Sequence, residues 1–132
     1  MATIRVERTV GVPAARVWEA LTDFGALHTR LAPGFVVDTA VEGDIRIVTF
    51  ANGMIARERL LGLDPANRRI AYTIMGAPFE HHSASNAVIE SGPDECRFVW
   101  IADLLPDALA PQIEAMMNAG SDAMLAAMQA RD

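Results

Sequence analysis

The chain has 132 residues, of which 52% are hydrophobic, and carries a formal net charge of −6, a balance that excludes a disordered chain and disfavours a nucleic-acid or anionic-lipid partner. Its length suits one domain, residues 1–132, with one sizeable core. Cys96 is the single cysteine, which rules out an intrachain disulfide, and neither a signal-peptide run nor an uncharged stretch approaching roughly 18 residues is present, so we expect a cytoplasmic protein that does not insert into membranes.

Residues 2 to 10 alternate, with Ile4 and Val6 against Arg5, Glu7 and Thr9, and predict an opening strand that Gly11 and Pro13 close. "PAARVWEAL" begins with a proline suited to a first helical turn and spaces Val17, Trp18 and Leu21 helically, which predicts a short helix from Pro13 to Thr22. "DFGALHTRLAPG" reads as a second, shorter helical piece ended by Pro33 and Gly34. Strands then follow at Phe35 to Val41, Ile45 to Ala51, Met54 to Leu63, Arg69 to Met75, His81 to Ile89 and Cys96 to Leu105. Their connections, among them "EGD", "NG" and "DPAN", are short enough to predict an antiparallel meander. From Pro106 to about Ala130 the period becomes helical: Leu109, Ile113, Met116, Met117, Gly120, Met124 and Met128 form one stripe, with Glu114, Asn118, Ser121 and Asp122 opposite. At about 1.5 Å per residue, such a helix is roughly 37 Å long.

Within the meander, "MIARERLL" places Glu58 on the more apolar face beside Met54, Ala56 and Leu60. A carboxylate facing a core must be paired or retained for function. The preceding hairpin sets its partner. A two-residue loop Asn52-Gly53 would put Arg46 opposite Arg59, whereas a three-residue loop with Gly53 in a left-handed bulge pairs Phe50 with Met54, Val48 with Ala56 and Arg46 with Glu58. We expect the second register. The pair then either anchors the sheet or lines a cavity, where Arg46 polarises a carbonyl or stabilises an enolate and Glu58 moves a proton.

His81 and His82 are adjacent on a strand and point to opposite faces, and there is neither a helical His pair nor a Cys-x-x-Cys. His28 and His82 are too little to predict zinc, so no metal is expected. The absence of a Gly-rich phosphate loop, a dinucleotide fingerprint and a Ser-His-Asp signature likewise predicts no cofactor. His82 shares a face with Ala84, Asn86 and Val88, so His82 and Asn86 are either polar points in an apolar wall or, for His82, a solvent-facing group near a strand start. Trp100 shares a face with Cys96, Phe98, Ala102 and Leu104, as part of a core wall. Asp38 is expected to face inward from the second strand. Several methionines around one cavity would tolerate varied ligands.

The element order, together with "VPAARVWEALTDFGALHTRLAPG", "ERLLGLDPANRRIAYTI", Trp100 and the final helix ending "MLAAMQ", resembles the START-like or SRPBCC superfamily, in particular its polyketide cyclase/dehydratase-like family. The resemblance covers nearly the whole chain. It implies an α+β helix-grip fold: a curved antiparallel sheet of about seven strands wrapped around a long C-terminal helix, with two short helices after the first strand. It also implies an internal cavity for a hydrophobic small molecule and puts Glu58 where many relatives carry a cavity-facing acid. Tyr72 falls in the family's cavity-facing "Y-T-I" position. The candidate site is therefore Arg46 and Glu58 as catalytic groups, with Tyr72, His82, Asn86, Trp100, Met116, Gly120 and Met124 contacting a hydrophobic, partly oxygenated ligand. A cofactor-independent cyclase or dehydratase, a non-catalytic carrier and a ligand-gated interaction module all fit that set.

Overall fold

Alternation of side chains sets the sheet, and the computed structural model, which describes residues 1–130, shows it as seven antiparallel strands in the order β1-β7-β6-β5-β4-β3-β2. β1 (Ala2–Val10) is followed by α1 (Ala14–Thr22), a π-helical turn (Leu27–Leu31) and the meander β2 (Val36–Glu42), β3 (Ile45–Phe50), β4 (Ile55–Asp64), β5 (Arg69–Met75), β6 (His81–Gly92) and β7 (Glu95–Leu105). The chain ends in α2 (Ala110–Gln129). This is the helix-grip architecture, with the two end strands of sequence order, β1 and β7, paired over their full length.

The β3–β4 hairpin has the three-residue loop. Gly53 takes a φ of +90°, the left-handed conformation that side-chain-bearing residues resist, and the Phe50 amide donates to the Met54 carbonyl at 2.9 Å. The ladder then pairs Val48 with Ala56 and Arg46 with Glu58. That register turns Arg46, Val48, Ala56 and Glu58 to the buried face and leaves Arg57 and Arg59 exposed.

α1 buries Ala14, Val17, Ala20 and Leu21, one apolar stripe, against a core that includes Val10, Val88, Phe98, Met124 and Met128. A fully buried Met of this kind contributes on the order of 1.5–3 kcal/mol relative to an exposed one. β1 also clamps α2 from its own edge: Arg8 donates to Asp122 Oδ1 from Nε and to Asn118 Oδ1 from Nη2, both at 3.0 Å.

Four details depart from the sequence expectation. The second helical piece is one π turn of five residues, closed by the Ala32 amide donating to the Leu27 carbonyl, because Pro33 and Gly34 stop it before a regular helix can propagate. The long helix begins at Ala110, behind a 3₁₀ turn at Asp107–Leu109, and its 20 residues span about 30 Å. Asp38 is exposed rather than inward, since an irregularity between Val36 and Asp38 shifts the β2 register by one residue and reverses every later side chain. Ser121 lies on the buried side of α2 at 0% exposure, with no hydrogen-bond partner for its hydroxyl among the described residues.

Candidate ligand-binding site

The hairpin register brings the two opposite charges together inside the sheet. Arg46 and Glu58 are 4% and 5% exposed, and Arg46 Nε donates to Glu58 Oε1 at 2.8 Å. The guanidinium carbon also lies 4.7 Å from the centre of the Phe24 ring and 5.6 Å from that of Tyr72, both within cation–π reach. Arg46 Nη1, in contrast, is buried and has no hydrogen-bond partner among the described residues. A buried donor left unpaired costs about 1–3 kcal/mol, and more when charged, so this nitrogen suits an oxygen acceptor.

Next along the wall, Tyr72 on β5 accepts a hydrogen bond from Trp100 Nε1 at 3.1 Å. Burial, followed by the charge of Glu58, pushes its phenol well above the ordinary range. The hydroxyl therefore stays protonated, and with Trp100 occupying a lone pair, its own proton is the group left to give. On β6, His82 Nδ1 accepts the Ile74 amide at 3.0 Å, which assigns the ring proton to Nε2. Burial, then the neighbouring His81, lowers the His82 pKa from 6.5 to about 4, so the imidazole is neutral at physiological pH. Asn86 is buried two pleat repeats away on the same face, opposite Ile70 and Trp100.

These groups face a pocket of about 100 Å³ between the sheet and α2. All nine residues singled out from the sequence, Arg46, Glu58, Tyr72, His82, Asn86, Trp100, Met116, Gly120 and Met124, border it. The polar groups come from β3 to β6, whereas α2 and the π turn supply an apolar wall through Ile113, Met117, Leu27 and Leu31 among others. Met116 is half-buried and Met124 fully buried.

Sequence reasoning missed Phe24, Phe35 and the π turn. Phe35 is the instructive case. A Cβ built on Gly120 would lie 2.9 Å from Phe35 Cε2 and 3.3 Å from Trp100, so the glycine exists to let two aromatic rings meet the helix backbone. Phe35 stands just after the Pro33-Gly34 turn, which was the available signal. Phe24 carried none, since its role depends on how α1 is laid against the sheet.

Among the described residues, no group of three His, Cys, Asp or Glu side chains could hold a metal ion. His28 does not join His82; its Nδ1 is 3.1 Å from Thr39 Oγ1 on β2. No helix among the described residues is long and apolar enough to cross a membrane.

No curated protein sequence matches the chain. Solved structures do. XoxI from Bacillus cereus aligns over 98% of this chain and 96% of its own, with a TM-score of 0.87 at 19% identity. A protein from Thermobifida fusca, solved by solution NMR, aligns over 95% and 91%, with a TM-score of 0.77 at 28% identity. Norcoclaurine synthase from Thalictrum flavum, solved in complex with dopamine and hydroxybenzaldehyde, aligns over 99% and 88%, with a TM-score of 0.74 at 20% identity. At these identities the two likenesses below 25% speak for the fold, whose sheet and gripped helix are the ones described above. Family membership rests on the sequence itself: residues 1–131 match the family described as polyketide cyclase / dehydrase and lipid transport, and the chain belongs to that family.

Proposed function

We propose that the chain, acting as one domain in a reducing cytoplasm, binds a hydrophobic, partly oxygenated small molecule in the pocket between the sheet and α2. The observation that carries this reading is Arg46 Nη1, a buried and unpartnered donor on the border of an otherwise largely apolar pocket. Burial of such a nitrogen is tolerated when a ligand oxygen completes it. Glu58 already engages Nε, so the oxygen that Nη1 receives is best a neutral carbonyl; a carboxylate would leave net negative charge in a poorly solvated place.

A catalytic version is favoured by the Tyr72 hydroxyl, which faces the same pocket with its proton unspent. Two donors, Arg46 Nη1 and Tyr72 O–H, would hold the oxygen of an enolising carbonyl compound while Glu58 carries the proton, the work of a cofactor-independent cyclase or dehydratase. That the structurally similar norcoclaurine synthase holds an amine and an aldehyde supports small carbonyl compounds as the class to try first. Carriage without conversion is the alternative.

Native mass spectrometry of protein purified from its own source tests the reading. We expect a co-purifying neutral, oxygen-bearing molecule that Arg46→Met protein fails to retain. Release of the molecule unchanged after incubation assigns carriage, and its conversion assigns catalysis. Equal retention by Arg46→Met protein would refute the assignment of Nη1.

A further inference from the structure

The sheet has a gap, and a side chain fills it. The β5–β6 ladder runs from Arg69 opposite Ala87 to Tyr72 opposite Ala84 and ends there. The same strands continue to pair with their other neighbours: β5 with β4 as far as Met75 opposite Arg57, and β6 with β7 as far as His81 opposite Leu105. Two adjacent strands thus part in the interior of a sheet, where an open edge would leave backbone donors unmet.

His82 occupies the parting. Its Nδ1 takes the Ile74 amide proton that a β6 carbonyl would otherwise take, and the Thr73 hydroxyl donates to its backbone carbonyl. The imidazole meets the Phe79 ring edge-on at 5.0 Å and lies 5.8 Å from the Tyr72 ring. Ile74 and His82 also have two sides. Both border the inner pocket, and both border an outer recess of about 350 Å³ that Leu61, Gly76, Phe79 and Glu80 help to form.

Resting on the reading of the inner pocket as a ligand site, we propose that the β5–β6 gap is a passage through the sheet and that the His82 imidazole is its removable stopper. Opening a paired ladder breaks several backbone hydrogen bonds in concert. Opening this gap needs one side-chain rotation, the loss of the Ile74 and Thr73 hydrogen bonds to His82 and the parting of two ring contacts, with no ladder hydrogen bond broken. A ligand could then exchange without unpacking α2 or the Phe35–Phe50 ring pair.

The test uses a Trp18→Phe background, in which Trp100, at the pocket wall, is the sole tryptophan. Stopped-flow exchange of the neutral apolar fluorophore N-phenyl-1-naphthylamine and acrylamide quenching of Trp100 are compared in the parent, His82→Ala and His82→Phe proteins. We expect His82→Ala to raise the association and dissociation rate constants together, by roughly tenfold, and to raise the quenching constant several-fold, whereas a merely weakened site raises dissociation alone. His82→Phe, which refills the gap with a ring, should stay near the parent. Unchanged exchange and quenching in His82→Ala, a rise in dissociation alone, or equal acceleration by His82→Phe would each overturn the passage. Should His82→Ala not fold, Phe79→Ala, which removes the ring holding the stopper from an adjacent turn, should show the same changes at smaller amplitude; parent-like values would overturn the proposal. Faster quenching in His82→Ala without fluorophore binding by the parent would leave the passage standing and remove the ligand-site reading. Fluorophore binding with unmoved exchange and quenching would do the reverse.

Discussion

Glu58→Gln separates a buried pair while changing almost no volume, and the geometry sets how much it should cost. Both partners are at most 5% exposed, and the bond between them is 2.8 Å long. Removing one member of such a pair costs on the order of 3–5 kcal/mol, because the surviving charge stays buried. Two features pull the figure to the low end. The amide oxygen of Gln can still accept from Arg46 Nε, and the guanidinium keeps Phe24 and Tyr72 within cation–π distance, a contact of about 0.5–2 kcal/mol. We therefore expect a loss of about 3 kcal/mol, which for a chain of this size corresponds to a fall in Tm of roughly 10–15 °C. Urea unfolding followed by circular dichroism measures it, with an unchanged m-value as the sign that the native state has kept its shape. The companion variant, Arg46→Met with Glu58→Leu, removes both charges; its stability should lie within about 1 kcal/mol of the parent or above it, since apolar replacement of a whole buried pair is often neutral or stabilising. Glu58→Gln protein as stable as the parent would refute the reasoning, for it would mean that the Arg46 charge does not depend on this carboxylate.

Stability should also respond to pH through His82. Its pKa falls from 6.5 in the unfolded chain to about 4 in the fold, so between these values the unfolded chain binds the extra proton; stability is complete above about pH 6.5 and declines by up to about 3 kcal/mol as pH drops to 4. Urea midpoints from pH 7 to 4 should show this slope, and His82→Phe should flatten it; an equal slope in that variant would assign the effect to other groups. Gly120→Leu should abolish binding of an apolar fluorophore while the protein still folds, because the new side chain enters the space of Phe35, 2.9 Å from the glycine's Cβ direction; retained affinity would show that Phe35 yields without closing the pocket.

Much of the molecule was legible from local pattern. Period-two alternation and short turns marked every strand of the meander, and a period near 3.6 marked α2, because each depends only on which face of one element meets a core. The Arg46–Glu58 pairing was legible for a further reason: a hairpin's register follows from its loop, and Gly53 selects the loop. Where a bulge interrupts the alternation, local pattern fails. An irregularity between Val36 and Asp38 turned Asp38 outward, and nothing in "FVVDTA" signals it. Ser121 looked polar and is wholly buried, since its burial depends on how α2 is laid against the rest of the fold, which the period of the helix does not set. The same holds for the most informative features of the site. The hairpin register set Arg46 beside Glu58, the family resemblance put Tyr72 on the cavity side, and alternation left His82 either in an apolar wall or in solvent; only the packed fold shows Arg46 Nη1 without a partner among the described residues, Phe35 pressed against Gly120, and the His82 ring standing where β5 and β6 part. Sequence period determines the side of an element on which a group lies; tertiary packing alone decides which of its atoms are satisfied, because hydrogen bonds and ring contacts are made at distances that only three-dimensional closure sets.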